Sequence, residues 1–139
     1  MEKRNNLIYL LVGIFLLLIL SSIYFSFNKP LLTKEFDVKF IVDESSPGFD
    51  VNTSLLIFGK TSPGGSEIVR FLNISNSYDF PVRLDVSVSK EISRAIYTNS
   101  SLTINSGKNL ELPVRLKVPE DFSLGNYSGK LKIEMYRAD

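Results

Sequence analysis

Residues 109–119 read NLELPVRLKVP. Leu110, Leu112, Val114, Leu116 and Val118 alternate with Glu111, Pro113, Arg115 and Lys117. An extended chain sends successive side chains to opposite faces, so a period of two builds a strand with one dry and one wet face. Pro113 falls on the wet face and has no N–H to give a ladder. The strand is therefore predicted to lie at a sheet edge or to carry a bulge there.

Working outward, the same period recurs three times. Phe36, Val38, Phe40 and Val42 alternate with Asp37 and Lys39; Val82, Leu84, Val86 and Val88 alternate with Arg83, Asp85 and Ser87. Tyr127, Gly129, Leu131, Ile133 and Met135 alternate with Ser128, Lys130, Lys132 and Glu134. Less regular runs lie between them. Residues 55–58 form a short apolar strand, and residues 67–74 another whose apolar face is ambiguous, which predicts a bulge. Residues 92–97 and 102–104 are short and weakly periodic. Turn signals separate the runs, among them Pro63-Gly64-Gly65, Ser106-Gly107 and Leu124-Gly125-Asn126. No helical period appears after residue 35. Seven to eight short strands in about 100 residues must bury their apolar faces against each other, which predicts an all-β, immunoglobulin-like β-sandwich over residues 36–139.

The other end of the chain is different. Residues 7–27, LIYLLVGIFLLLILSSIYFSF, are 21 residues without a charge. A bilayer core about 30 Å thick needs roughly 20 apolar residues in a helix. A single transmembrane α-helix is expected here, after a cytoplasmic tail of residues 1–6 and before a linker of residues 28–35. Lys3 and Arg4, offset by Glu2, favour a cytoplasmic N-terminus and an extracytoplasmic C-terminal domain in the cell membrane. A cleaved leader is the alternative, but cuts after Ser21, Ser22 or Ser26 would leave Ile19, Leu20 or Tyr24 where a small residue is preferred. With no Cys there is no lipoprotein anchor, disulfide or thiolate metal site.

Setting aside Glu2, Lys3 and Arg4, the chain holds 14 basic and 14 acidic residues, interspersed. That balance argues against nucleic acid as a partner, which needs clustered positive charge. The expected partners are the lipid bilayer, through residues 7–27, and an envelope or surface-layer protein.

From Leu55 to Met135 the order of turns and strands is distinctive: Phe58-Gly59, Pro63-Gly64-Gly65, Asn73-Ile74-Ser75-Asn76, Ser106-Gly107, Val118-Pro119 and Leu124-Gly125-Asn126-Tyr127-Ser128-Gly129. This resembles the immunoglobulin-like modules of bacterial and archaeal surface proteins of the NPCBM-associated and CARDB type. Ser106-Gly107 stands where those modules usually have Pro-Gly, and the strand around Phe36–Val42 lies outside the likeness. The resemblance implies the fold and a non-catalytic accessory or adhesion role. The layout of one membrane helix and one sandwich also resembles that of archaellum stator-type subunits.

The chain has no His, Cys or Trp, so acid–base chemistry would fall to carboxylates, Lys or Tyr. Glu120-Asp121 and Ser89-Lys90 are sequence neighbours, which on a strand point to opposite faces. Asp43, Glu44 and Asp50 have the right chemistry for a hard cation, but solvated loop charges are the stronger explanation. No phosphate loop, nucleophile elbow or zinc pattern occurs. No catalytic, cofactor or metal site is therefore predicted, and the chain is not expected to be an enzyme. Tyr78, Phe80 and Tyr97, at strand ends, are the aromatics a carbohydrate site would use, the alternative being that they cap the core. Asn-x-Ser/Thr sequons at Asn52, Asn73, Asn99 and Asn126 all lie in the part expected to be exported, and are candidate glycosylation sites.

Overall fold

The computed structural model describes residues 2–27, 29–44 and 55–138, with helix side chains from residue 9 to residue 24. The chain divides into two compact units, Met1–Pro30 and Leu31–Asp139.

The first unit is helix α1 (Glu2–Phe27). From Tyr9 to Tyr24 its side chains are apolar on all sides apart from Ser21 and Ser22, and all are exposed. Among the described residues no helix is long and apolar enough to cross a membrane. The expected span over residues 7–27 is thus not met within them.

The second unit is a β-sandwich of β1 (Leu32–Val42), β2 (Leu56–Thr61), β3 (Ile68–Ser75), β4 (Val82–Val88), β5 (Ile96–Tyr97), β6 (Ser101–Ile104), β7 (Asn109–Leu116) and β8 (Gly125–Arg137). One sheet has the order β2-β1-β8-β4-β6, the other β3-β7-β5. From β2 onward each strand lies in the opposite sheet from the one before it. Every pairing is antiparallel except β1 with β2. The inward residues of both sheets meet in one core, with Val38, Phe58, Val82, Leu84, Leu112, Val114, Leu116 and Leu131 fully buried. Each such side chain stabilises the fold by about 1.5–3 kcal/mol through the water it sheds.

Three sequence expectations need correction first. Residues 28–35 were expected to be a linker, yet β1 begins at Leu32 and pairs without interruption from Leu32↔Met135 to Val42↔Gly125. Its partner lies 100 residues away, and inward Lys34 breaks the apolar alternation that would have signalled a strand. The bulge expected in residues 67–74 is absent: Ile68 to Ser75 pair regularly with Leu116 to Asn109. The face looked ambiguous because Arg70 points inward while Val69 and Phe71 point out. The register shift lies instead between Lys39 and Phe40, opposite Ile57 and Gly59. Residues 92–97 are mostly one helix-like turn. Ile96 N–H donates to Ile92 C=O at 2.9 Å, so Ile92, Ala95 and Ile96 reach the core at helical spacing.

Pro113 sits in β7, the middle strand of its sheet. Thr98 Oγ1 donates to Pro113 C=O at 3.0 Å, and Lys117 N–H donates to Ala95 C=O at 2.9 Å. Odd-numbered residues of β7 therefore aim their polar backbone atoms toward β5, and even-numbered ones toward β3. β5 ends at Tyr97, so the missing N–H of Pro113 faces the place where the ladder has already run out. The edge or bulge expected at Pro113 is thus not found: β7 is the middle strand, pairs with β3 without a shift, and tolerates the proline because β5 stops short of it.

Two tyrosine and glycine details fix the ends of the sandwich. Tyr127 stacks on Phe40 with centroids 5.3 Å apart, packs against Phe122 at 4.8 Å, and its hydroxyl donates to Ser123 C=O at 2.9 Å. Gly64, at φ +65°, supplies the left-handed turn after Pro63, and its N–H donates to Val118 C=O at 3.1 Å.

Candidate functional site

The outer face of the three-stranded sheet carries the least expected chemistry. Along β3 the even residues are half-buried or buried and the odd ones exposed. Val69 pairs with Arg115, which pairs in turn with Tyr97 of β5; Phe71 pairs with Pro113. The face is therefore an apolar strip of Val69, Phe71, Pro113 and Tyr97, with Arg115 between Val69 and Tyr97. Glu67 Oε1 accepts from Arg115 Nη1 at 3.3 Å, and Tyr97 donates its hydroxyl to Arg94 C=O at 2.9 Å. Tyr97, Arg115, Glu67 and residues 117–119 surround an open hollow of about 560 Å³. A smaller cleft of about 210 Å³ lies over Leu32, Phe36, Ile133 and Met135, bordered by Lys34 and residues 73–75.

The aromatics proposed for a sugar site separate. Tyr78 and Phe80 stack on each other at 5.1 Å and pack, half-buried, on the core, with the Arg137 guanidinium 4.4 Å over Phe80. They are core caps. Tyr97 alone stands exposed. Three of the sequon asparagines, Asn73, Asn99 and Asn126, are exposed, on β3, in the β5–β6 connection and on β8. Asn52 lies outside the described residues. Sequence reasoning missed Val69 and Phe71; their signal was the apolar ambiguity of residues 67–74, which is two faces that are both partly apolar.

The reactive candidates are drawn into structural pairs. Ser89 Oγ accepts from Lys130 N–H at 3.0 Å, tying the β4 end to β8. Asp43 pairs with Lys60 at 3.8 Å; Asp50 lies outside the described residues. Among the described residues no three His, Cys, Asp or Glu side chains gather as a metal site. Asp121 accepts from Arg94 at 2.7 Å, and that hydrogen bond holds its carboxyl below the usual range. Lys130 Nζ donates to Glu35 at 2.7 Å, which lowers the carboxyl and raises the amine. The charged side chains of these pairs all reach solvent, and opposite charges at such distances in water hold local geometry rather than prime a proton transfer.

No protein-family model, no curated protein and no solved structure matches the chain.

Proposed function

We propose that this chain is a membrane-anchored, non-catalytic module of the cell envelope, with residues 7–27 in the bilayer and the sandwich outside the cytoplasm against an envelope or surface-layer protein. The observation that carries this reading is α1: an uncharged run of 21 residues whose described side chains are exposed all round the helix. A helix apolar on every side has no stable place in water, and lipid is the cover that suits its length in sequence. The alternating strands and the order of turns support an immunoglobulin-like module of the NPCBM-associated or CARDB type, whose role is contact rather than turnover. The evenly mixed charge of the remaining chain supports a protein partner over nucleic acid.

Fractionation tests this in the native host. The full chain with a C-terminal tag should stay with membranes through alkaline carbonate washing, lose its tag to protease added to intact cells, and retain a specific envelope protein through gentle solubilisation. Deleting residues 7–27 should release it. A tag found in the soluble cytosol would sink the proposal.

A second reading, an extracytoplasmic carbohydrate- or ligand-binding module, is favoured by one feature. The exposed Tyr97 ring sits beside the Glu67–Arg115 pair at the open hollow, an apolar face next to a donor and an acceptor. Saturable binding on a glycan array, lost on Tyr97→Ala in a chain that still folds, would decide for it.

A further inference from the structure

From Leu31 to Ala138, the described residues expose six large apolar side chains: Leu31 (42%), Leu32 (39%), Val69 (36%), Phe71 (61%), Tyr97 (48%) and Leu124 (54%). Three of the six stand two residues before a sequon asparagine: Phe71 before Asn73, Tyr97 before Asn99, and Leu124 before Asn126. The three described sequons thus each carry an exposed apolar residue at the same offset. Turn-forming tendencies of Asn and Ser account for the sequons but not for that offset.

On β3 the geometry is explicit. Residues two apart on a strand share a face, so Phe71, Asn73 and Ser75 stand in a row on the outer side of the sheet, all exposed. Phe71 lies opposite Pro113 and Asn73 opposite Glu111 in a ladder without register shifts. Phe71 has no inward alternative in this register, so its ring stays on the surface unless something attached nearby covers it.

We propose that Asn73 carries an N-linked glycan whose first sugar lies on the ring of Phe71. This rests on the reading of residues 29–138 as extracytoplasmic. In the modification, Asn73 Nδ2 forms a bond to the anomeric carbon of a lipid-linked oligosaccharide. The bond from that carbon to the phosphate oxygen breaks, the polyprenyl phosphate carrier leaves, and the amide loses one proton. Ser75 supplies the hydroxyl that completes the acceptor sequence. A pyranose presents C–H groups on its flat side, which carry slight positive charge against the negative face of an aromatic ring. Covering Phe71 also removes apolar area from water. The glycan thereby accounts for an exposed aromatic on a sheet face and stabilises the fold around it.

The full chain, with a reporter sequon appended after Asp139, is produced in cells with and without N-glycosylation machinery. Peptide mass mapping reads occupancy at each asparagine. Thermal midpoints in detergent are compared for wild type, Ser75→Ala, Phe71→Ser and the double variant. The expected result is an occupied Asn73 and a midpoint about 5 °C lower for Ser75→Ala in glycosylating cells. That loss should vanish in the Phe71→Ser background and in cells without the machinery. A modified reporter with Asn73 bare, or a Ser75→Ala loss unchanged by Phe71→Ser, overturns the proposal while leaving export intact. An unmodified reporter in glycosylating cells removes export itself, and the glycan with it.

Discussion

The side-chain amide of Asn76 donates to the carbonyl of Ile104, 28 residues further along the chain, at 3.0 Å. The same amide nitrogen reaches Phe80 C=O at 2.9 Å, while its oxygen accepts from Tyr78 N–H at 3.0 Å. Its backbone closes the circuit, accepting from Gly107 N–H and donating to Lys108 C=O. Asn76 is 2% exposed, so one fully satisfied polar residue ties the β3–β4 and β6–β7 connections together inside an apolar core.

Replacing Asn76 by Ala strands Ile104 C=O in a dry site and leaves the turn at Tyr78 without its acceptor. One buried unsatisfied group costs about 1–3 kcal/mol, so Asn76→Ala should lose about 2–4 kcal/mol of stability. Asn76→Asp should lose a similar amount, because it keeps the acceptor and removes both donated bonds. Urea midpoints of the sandwich read this directly; midpoints equal to wild type would contradict the circuit.

Gly129 is required by close packing. A Cβ there would meet Ser89 Oγ in direct overlap and Ile92 Cγ1 at 2.7 Å. Gly129→Ala should cost about 1–3 kcal/mol by overpacking. Ile92→Ala removes the Cγ1 and Cδ1 atoms beside that position, so the double variant should be more stable than the sum of the two single losses. Strict additivity in a denaturation cycle would show that the two positions do not touch.

Pro113 and Val114 should behave oppositely. Pro113→Ala should change stability by under about 1 kcal/mol, since no ladder bond was missing and only a stiff residue is lost. Val114→Pro should remove the N–H aimed at β3 and cost about 3 kcal/mol or more. Equal effects of the two changes would mean that β7 has the reverse orientation.

Stability should form a plateau in pH with shallow ends. Glu35 is held below the ordinary 4.5 by Lys130, Glu91 by its own backbone N–H and the Ser89 hydroxyl, and Asp121 below 3.8 by Arg94. A carboxyl lowered in the folded state contributes stability above its unfolded value, and that contribution disappears as pH falls through the folded value. Lys130 and Lys132 are raised above 10.5 by Glu35 and Glu134, so their contribution is present below that pH and lost as pH rises through the folded values. The plateau should run from about pH 5 to about pH 10. Because these groups are exposed, about 0.5 M salt should flatten both limbs. A midpoint that falls steeply within the plateau would contradict this.

The parts of the fold legible in the sequence were those with one wet and one dry face. Val82–Val88 and Asn109–Leu116 announced themselves because each inward position is apolar and nearly each outward one polar. Leu32–Glu35 did not, because Lys34 puts a charge on the side that later carries Val38 and Phe40, and its partner Ile133 lies far along the chain. Ile92–Ile96 misled because a single helical turn is too short to show its period among β-branched residues. At the surface, the sequons were visible as motifs, but the side on which Phe71 stands depends on the pairing of Ile68 with Leu116, which no local pattern carries. Tyr78 and Phe80 were rightly suspected of capping the core; only the fold could separate them from Tyr97.

The last strand in the sequence, β8, is the central strand of the five-stranded sheet, flanked by β1 and β4. Until Gly125–Arg137 emerge, β1 has no antiparallel neighbour and β4 has only the four-residue β6 beside it. A chain released at about 5–20 residues per second from a ribosome would therefore wait, unassembled, for β8. Were the sandwich exported as proposed above, that delay would be useful: the same strand order that completes the sandwich would keep the emerging chain slack enough to cross a translocation pore.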